Sequence, residues 1–181
     1  MLSLVFFLPT RAFADQDPQA CSKWVAFLKP ACQHLHRIWT EGKNELYLSG
    51  YAWHNRYTYT PERIKTYNEL AWGGGFGKGY LDEHGNFHAI AAFAFLDSHK
   101  NIEPVVNYSY FITAHFPHDF SIGLGGTVLI TSRPDILNGI PFIGALPAAL
   151  ITFKKTTIGL TYIPGAVGAG NVLYIVGKYT F

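Results

Sequence analysis

Most of this chain beyond residue 45 alternates with a period of two, and no stretch approaches the ~20 consecutive apolar residues of a transmembrane helix. From Phe120 to Thr131 the even positions Phe120, Ile122, Leu124, Val128 and Ile130 are large and apolar. The odd positions are Ser121, Gly123, Gly125, Thr127, Leu129 and Thr131. Near the end, Leu173, Ile175, Tyr179 and Phe181 share one face, and Tyr174, Val176, Lys178 and Thr180 the other. Bulky apolar residues outside and small or polar ones inside is the pattern of a β-barrel that faces lipid. Eight segments follow it, at about 46–59, 72–82, 86–97, 103–115, 119–132, 142–153, 156–163 and 171–181. Short connections alternate with mostly longer ones, as in outer-membrane barrels with short periplasmic turns, longer outer loops and both termini inside. The expected fold is therefore all-β: an eight-stranded antiparallel transmembrane β-barrel. Such a barrel closes on itself and needs no second copy, so a monomer is expected.

Composition agrees. The chain has 181 residues, enough for one domain, with 11 Tyr, 14 Phe and only 14% charged residues. A soluble α/β protein would carry more charge and recurrent helical periodicity. A net charge of +2 gives no footprint for nucleic acid. A soluble lipocalin-like barrel shares the strand count, but its outward face would be polar.

The first 44 residues read differently. Met1 to Ala14 holds an apolar run and an Ala12-Phe13-Ala14 cleavage-like site, so residues 1–14 are expected to be a signal peptide, which the given start can truncate. Residues 15–44 form an N-terminal amphipathic helix and linker, ahead of a barrel over 45–181. Asp17-Pro18 opens the helix, Trp24, Phe27, Leu28, Ala31, Leu35 and Ile38 form its apolar stripe, and Pro30 is expected to kink it. Such a helix suits a membrane interface or a docking face equally. On a continuous helix Cys21 and Cys32 would be about 16 Å apart, beyond disulfide reach, so free thiols are expected unless Pro30 breaks the helix.

The inward face looks roomy. Gly73, Gly75, Gly77 and Gly79 lie on one face of their segment, and four alternating glycines need a reason. From Gly85 to Ser98, Phe87, Ala89, Ala91, Phe93 and Phe95 share one face, and His88, Ile90, Ala92, Ala94, Leu96 and Ser98 the other. The second set is assigned inward. An apolar, partly hollow interior suits a hydrocarbon chain; the competing account is relief of curvature in a small barrel. Lys78 falls on the lipid face, which this register does not explain. At the outer rim His54, Asp97 and Ser98 can meet, and imidazole, carboxylate and hydroxyl are the parts of acyl transfer. The adjacent Asp97 and Ser98 point to opposite faces, so an ordinary relay is not guaranteed. The His34/His36 and His84/His88 spacings make no recognisable metal pattern.

At these residues the sequence resembles the outer-membrane lipid A palmitoyltransferases. The matching stretches are Trp53-His54 followed by Arg56, Tyr67-Asn68-Glu69, Trp72-Gly73-Gly74-Gly75-Phe76-Gly77, Asp82-Glu83 with Gly85-Asn86 and His88, Asp97-Ser98, Glu103-Pro104, Gly123-Leu124-Gly125, Thr161-Tyr162-Ile163-Pro164-Gly165 and Gly170-Asn171-Val172. They keep the family's order over about residues 46–181. The resemblance implies transfer of a palmitoyl chain from the sn-1 position of a phospholipid donor to a hydroxyacyl chain of the lipid A acceptor, in the outer-membrane bilayer, with release of a lysophospholipid. It implies His54 as general base, Ser98 as nucleophile or oxyanion donor, Asp97 as the group orienting the imidazole, and Ser109 and His88 as substrate-binding positions. It implies no metal or nucleotide cofactor. Three departures stand out. Ser109 replaces the glycine at the floor of the family's acyl cavity, which raises the floor and shortens the preferred chain. Ser49 and Ala71 replace two prolines of one lateral gate, leaving that gate in doubt, while those of the other gate match Pro147 and Pro164. Residues 116–119 are shorter than the family's usual second turn. The rival readings are a non-catalytic lipid-binding or structural barrel, and a soluble lipid carrier.

Overall fold

Eight strands answer the eight alternating segments: β1 (Lys43–His54), β2 (Gly73–Leu81), β3 (Phe87–Leu96), β4 (Ile102–Phe116), β5 (Phe120–Thr131), β6 (Phe142–Phe153), β7 (Thr156–Ile163) and β8 (Val172–Thr180). In this computed structural model, which describes residues 21–167 and 169–181, each strand pairs antiparallel with the next and β8 returns to β1. The barrel is closed. The signal segment and the Asp17-Pro18 helix start lie outside the described residues. β1 ends at His54 rather than near 59, because residues 55–72 turn away as a loop containing a short helix, α2 (Pro61–Ile64).

The alternation sorts as a membrane barrel requires. Leu48, Phe76, Val106, Leu124, Val128, Ile143 and Ile158 are exposed on the outer face, while Ser121, Thr127 and Thr131 are buried. An apolar belt around a closed ladder is the surface of a membrane-spanning protein, since lipid offers no partner to an unpaired backbone group. The turns are built locally. In the β2–β3 turn Asp82 Oδ1 accepts from the backbone N–H groups of His84 and Asn86, and Gly85 takes φ +80°. The long loops gather at the opposite end.

The inward assignment of β3 was inverted. Phe87, Ala89, Phe93 and Phe95 line the lumen, so His88, Ile90, Ala92, Ala94 and Leu96 face outward. Both faces of this strand are apolar, and alternation alone gives no sign of which is which. The glycines of β2 do face inward, but the space they free is occupied. A Cβ on Gly77 would meet the Tyr47 ring and Ala91, and one on Gly79 would meet the Phe87 ring and the Glu45 carboxylate. Tyr47 and Phe93 stack with centroids 6.0 Å apart and rings 5° from parallel. Toward the turn end Glu45 takes a hydrogen bond from Tyr47 and an ion pair from Lys178, whose ammonium sits 3.9 Å from the Phe87 centroid.

One irregularity decides what the long-loop end of β1 presents. Ser49 pairs with Val176 but Tyr51 pairs with Ile175, leaving Gly50 as an extra residue. A bulge exchanges the two faces of its strand. Before it Glu45, Tyr47 and Ser49 face the lumen; after it Ala52 and His54 do.

The chain divides into two compact units between His36 and Arg37. In the first, Cys21 and Cys32 form a disulfide with Cα atoms 5.9 Å apart, so the expectation of free thiols was wrong. The helix is not continuous: residues 21–24 are turn and bend, Val25 is extended, a single 3₁₀ turn covers Ala26–Leu28, and the α-helix α1 (Lys29–Glu41) begins only there. Pro30 lies in its first turn, where a missing N–H costs nothing, so it starts the helix instead of kinking it. In the second unit Ile38 is fully buried and Lys78 finds its explanation. Its ammonium donates to the Trp39 carbonyl at 2.9 Å and to that of Gly42 at 3.4 Å, capping the negative end of α1 from the outer wall.

Removing one member of the lumenal ion pair should be costly. Glu45→Ala is expected to destabilise the barrel by about 3–5 kcal/mol, because Lys178 would remain buried without a counter-charge, whereas Glu45→Leu combined with Lys178→Met should cost far less. Guanidinium unfolding of refolded protein in detergent checks both.

Candidate active site

His54 is delivered into the lumen by the Gly50 bulge and held there on every side. Its Nδ1 lies 3.2 Å from Glu69 Oε1, and the same oxygen accepts the His54 backbone N–H at 3.0 Å. Tyr67 stacks on the imidazole at 4.7 Å and Tyr59 meets it edge-on at 5.4 Å. Glu69 comes from the β1–β2 loop and receives Arg56 in a two-pronged pair, both contacts 2.6 Å, plus the Tyr51 hydroxyl at 3.1 Å. The Arg56 guanidinium is the main reason its carboxyl is pulled down to about 2, with the bonds from His54 and Tyr51 adding to the effect. An ionised Glu69 accepting from Nδ1–H leaves Nε2 as the acceptor nitrogen.

That nitrogen faces Ser98 Oγ at 3.0 Å. The β3–β4 turn positions the serine by the device seen in the β2–β3 turn. Asp97 Oδ1 accepts the N–H groups of His99 and Asn101, both at 2.8 Å, and Lys100 takes φ +65°. Asp97 is thus spent on shaping the turn, and the carboxylate on the imidazole is Glu69, not Asp97. The geometry is that of a hydroxyl–imidazole–carboxylate relay with the carboxylate supplied from a different loop.

Asp97, His99 and Asp135 approach one another closely enough to hold a cation. Arg133 already fills that role, with its guanidinium 2.8 Å from Asp135, 3.6 Å from Glu103 and 3.9 Å from Asp97.

Below the relay the lumen holds a cavity of about 230 Å³, lined by Phe93, Phe95, Val105, Leu129, Leu146 and Val176 among others, with Arg133 and Ile136 at the long-loop end. His54 and Ser98 stand at its rim: His54 pairs with Val172, two residues beyond the cavity-lining Tyr174, and Ser98 follows Phe95 by three. Ser109 points inward as expected but stands on the wall, since Phe111, Phe87 and Leu150 continue the lining beneath it. His88 does not reach the cavity. It faces outward, bonded to the Tyr108 hydroxyl at 2.7 Å and to Asp82 at 3.1 Å, and stacked on Tyr80.

The wall has two seams at this end. The β6–β7 ladder stops at the pair Ala148/Thr161; Pro147, which has no N–H, is the next residue, and Pro164 follows the end of β7. The β1–β2 ladder stops at Ser49/Gly73, although both expected prolines are absent there. The Ser49 hydroxyl bonds to the Ala71 carbonyl, and the Ala52 N–H goes to the Glu69 carbonyl at 2.9 Å.

A family model described as "Antimicrobial peptide resistance and lipid A acylation protein PagP" matches residues 34–178. The chain belongs to the PagP family. Its relatives include the lipid A acyltransferase PagP of Legionella pneumophila, 55% identical over 177 residues that cover 98% of this chain and 95% of that one. The protein of the same name from Legionella longbeachae is 56% identical over 170 residues, covering 93% and 74%. That of Bordetella pertussis is 46% identical over 180 residues, covering 99% and 97%.

Within this PagP chain, Glu69 and Arg56 are the residues that sequence reasoning passed over. Both lay inside matching blocks, but 12 intervening residues hid that they form one pair with His54. Because the carboxyl of Glu69 is lowered from 4.5 to about 2 in the folded protein, it adds stability above about pH 4.5 that is lost as pH falls toward 2. In Arg56→Gln that loss should begin at higher pH, and a carboxyl ¹³C titration should show the Glu69 midpoint moving up toward the ordinary range. Glu69→Gln should lower turnover by roughly 10²–10⁴-fold, as expected when an imidazole loses the partner that fixes its tautomer.

Proposed function

We propose that this protein is an outer-membrane lipid A acyltransferase that takes the sn-1 acyl chain, palmitoyl or one of similar length, from a glycerophospholipid. The acceptor is a hydroxyacyl chain of lipid A, and the second product is a lysophospholipid. Membership of the PagP family, with relatives named lipid A acyltransferase at 46–56% identity, supports acyl transfer to lipid A. The observation that carries the donor side is the Ser98–His54–Glu69 relay at the rim of an apolar cavity enclosed by a membrane barrel.

The chemistry asked of these residues is modest. The acyl chain lies in the lumen, which brings its ester carbonyl to the rim. His54 Nε2 takes the proton of the attacking hydroxyl, and the imidazolium so formed is stabilised by Glu69 and returned to neutrality by protonating the departing sn-1 oxygen. Ser98 either donates a hydrogen bond to the developing oxyanion or is itself the attacking hydroxyl; in the second case the same proton transfer runs again, with the lipid A hydroxyl attacking the acyl-serine and Ser98 Oγ departing with the proton from His54. The Arg56–Glu69 pair holds the imidazole, while Asp97 and Arg133 hold the turn that carries Ser98. The site needs no metal or nucleotide, and one barrel carries all of it, so the active form is the monomer. The β6–β7 seam at Pro147 and Pro164 gives a phospholipid chain a sideways route from the bilayer into the lumen.

Mass spectrometry of lipid A tests this directly, in cells with the gene, without it, and with Ser98→Ala or His54→Ala. The expected result is a gain of one acyl chain that depends on the gene and disappears in both variants. Assembled barrel with no mass gain would favour the non-catalytic lipid-binding reading.

A further inference from the structure

Among the described residues Arg37, Arg56 and Arg133 each pair with a carboxylate, and Arg63 does not. It stands in α2, on the loop that brings Tyr67 and Glu69 to His54, and it is exposed. Its backbone is pinned from both sides: the N–H donates to Thr60 Oγ1 at 3.4 Å, and the carbonyl accepts from the Thr66 hydroxyl at 2.7 Å. The side chain is ordered as well. Nε donates to the Tyr67 hydroxyl at 2.9 Å, and the guanidinium carbon lies 5.9 Å from the Tyr59 centroid. Those two rings meet at 5.6 Å and 89°, and they are the same two that pack on the His54 imidazole. With Nε taken, the two terminal nitrogens remain side by side in one plane, without a protein partner among the described residues.

We propose that Arg63 is a substrate-binding residue, whose free guanidinium edge takes two oxygens of a phosphate on a lipid substrate at the outer rim. This rests on the acyl-transfer reading and deepens it. A planar fork of two N–H donors matches the geometry of a phosphate, and the pair is charge-assisted. Phosphate is also the anion that both lipids of the transfer carry, the glycerophospholipid in its head group and lipid A on its sugars. Because Tyr67 and Tyr59 already hold the arm, little side-chain freedom is left to lose on binding. Lys65 in the same loop and Lys100 in the β3–β4 turn are exposed and add positive charge, against Glu62 as the unpaired acid of that loop. The loop and the turn are joined, since the Asn68 N–H donates to the Ser98 carbonyl at 2.8 Å. A phosphate held on Arg63 fixes the head of its lipid one aromatic ring away from the imidazole, which orients the reacting end toward His54 and Ser98.

The test asks whether the effect of Arg63 depends on the phosphate. Refolded wild type, Arg63→Gln and Arg63→Lys are assayed in detergent with lipid A and dephosphorylated lipid A as acceptors, and with a glycerophospholipid and a diacylglycerol as donors. Arg63→Gln should raise KM roughly tenfold for the phosphorylated substrate that the residue holds, with kcat little changed. The rise should vanish when that substrate lacks its phosphate, and the arm in which it vanishes identifies donor or acceptor. Arg63→Lys keeps the charge but not the fork, so it should recover only part of the loss. A fall in kcat shared by phosphorylated and dephosphorylated substrates would overturn the proposal in favour of an arginine that merely braces Tyr67. Unchanged kinetics in Arg63→Gln would overturn it outright. Equilibrium binding of the same lipids keeps the two readings apart. If wild type bound a phosphorylated lipid roughly tenfold tighter than Arg63→Gln did, yet added no chain to lipid A, the transfer reading would fail while the phosphate site stood. Transfer with no such difference in binding would remove the site and leave the transfer.

Discussion

The pairing of β8 with β1 is the constraint on which everything else here rests. A bilayer core offers no hydrogen-bond partner to a strand edge, so a sheet that spans it must close. Closure fixes the lumen, and the lumen fixes which half of each alternating strand can be small, polar or charged. The two incomplete ladders stand out against this requirement. Both lie at the long-loop end, one beginning where Pro147 removes a donor and the other where β1 leaves β2 after Ser49. At the second, side chain and loop backbone take over the bonds that a strand neighbour would have made. A seam can therefore form without proline, provided the orphaned groups are satisfied in some other way.

The bulge at Gly50 links that closure to the chemistry. Because β1 must keep pairing with β8 on one side, an extra residue does not end the strand; it turns the strand's last four residues over. His54 goes in and Trp53 goes out. The loop that follows then folds back to bring Glu69 against the imidazole, and Arg56 ties that loop down from the opposite direction. The relay is thus assembled from a strand end, a loop return and a tight turn on β3–β4, three pieces whose only common frame is the barrel rim.

Much of the architecture was legible in the sequence because a lipid-facing surface leaves a strong signature. β5 and β8 alternate cleanly, and their faces could be assigned. The inward glycines of β2 could be placed as well, although the aromatic rings that use their space come from Tyr47 and Phe87 on neighbouring strands. β3 was not assignable: Phe and Ala alternate with Ala, Ile and Leu, and nothing in its own sequence marks a lumen face. The disulfide was missed because the apolar stripe from Trp24 to Ile38 reads as one helix, while the chain breaks it at the 3₁₀ turn. At the site, residue types suggested His54 and Ser98, whereas Glu69 depends on a loop path and a bulge that no periodicity records.

The buried pair of Glu45 and Lys178, with Phe87 beneath the ammonium, lies between the upper cavity and the open turn end, and Phe87, Leu150, Thr157 and Lys178 border both spaces. The lumen is therefore a well and not a channel. The turn end is thereby shut to anything apolar: a side chain or tail that reaches this depth, by whichever opening, meets a charged stopper and not a way through.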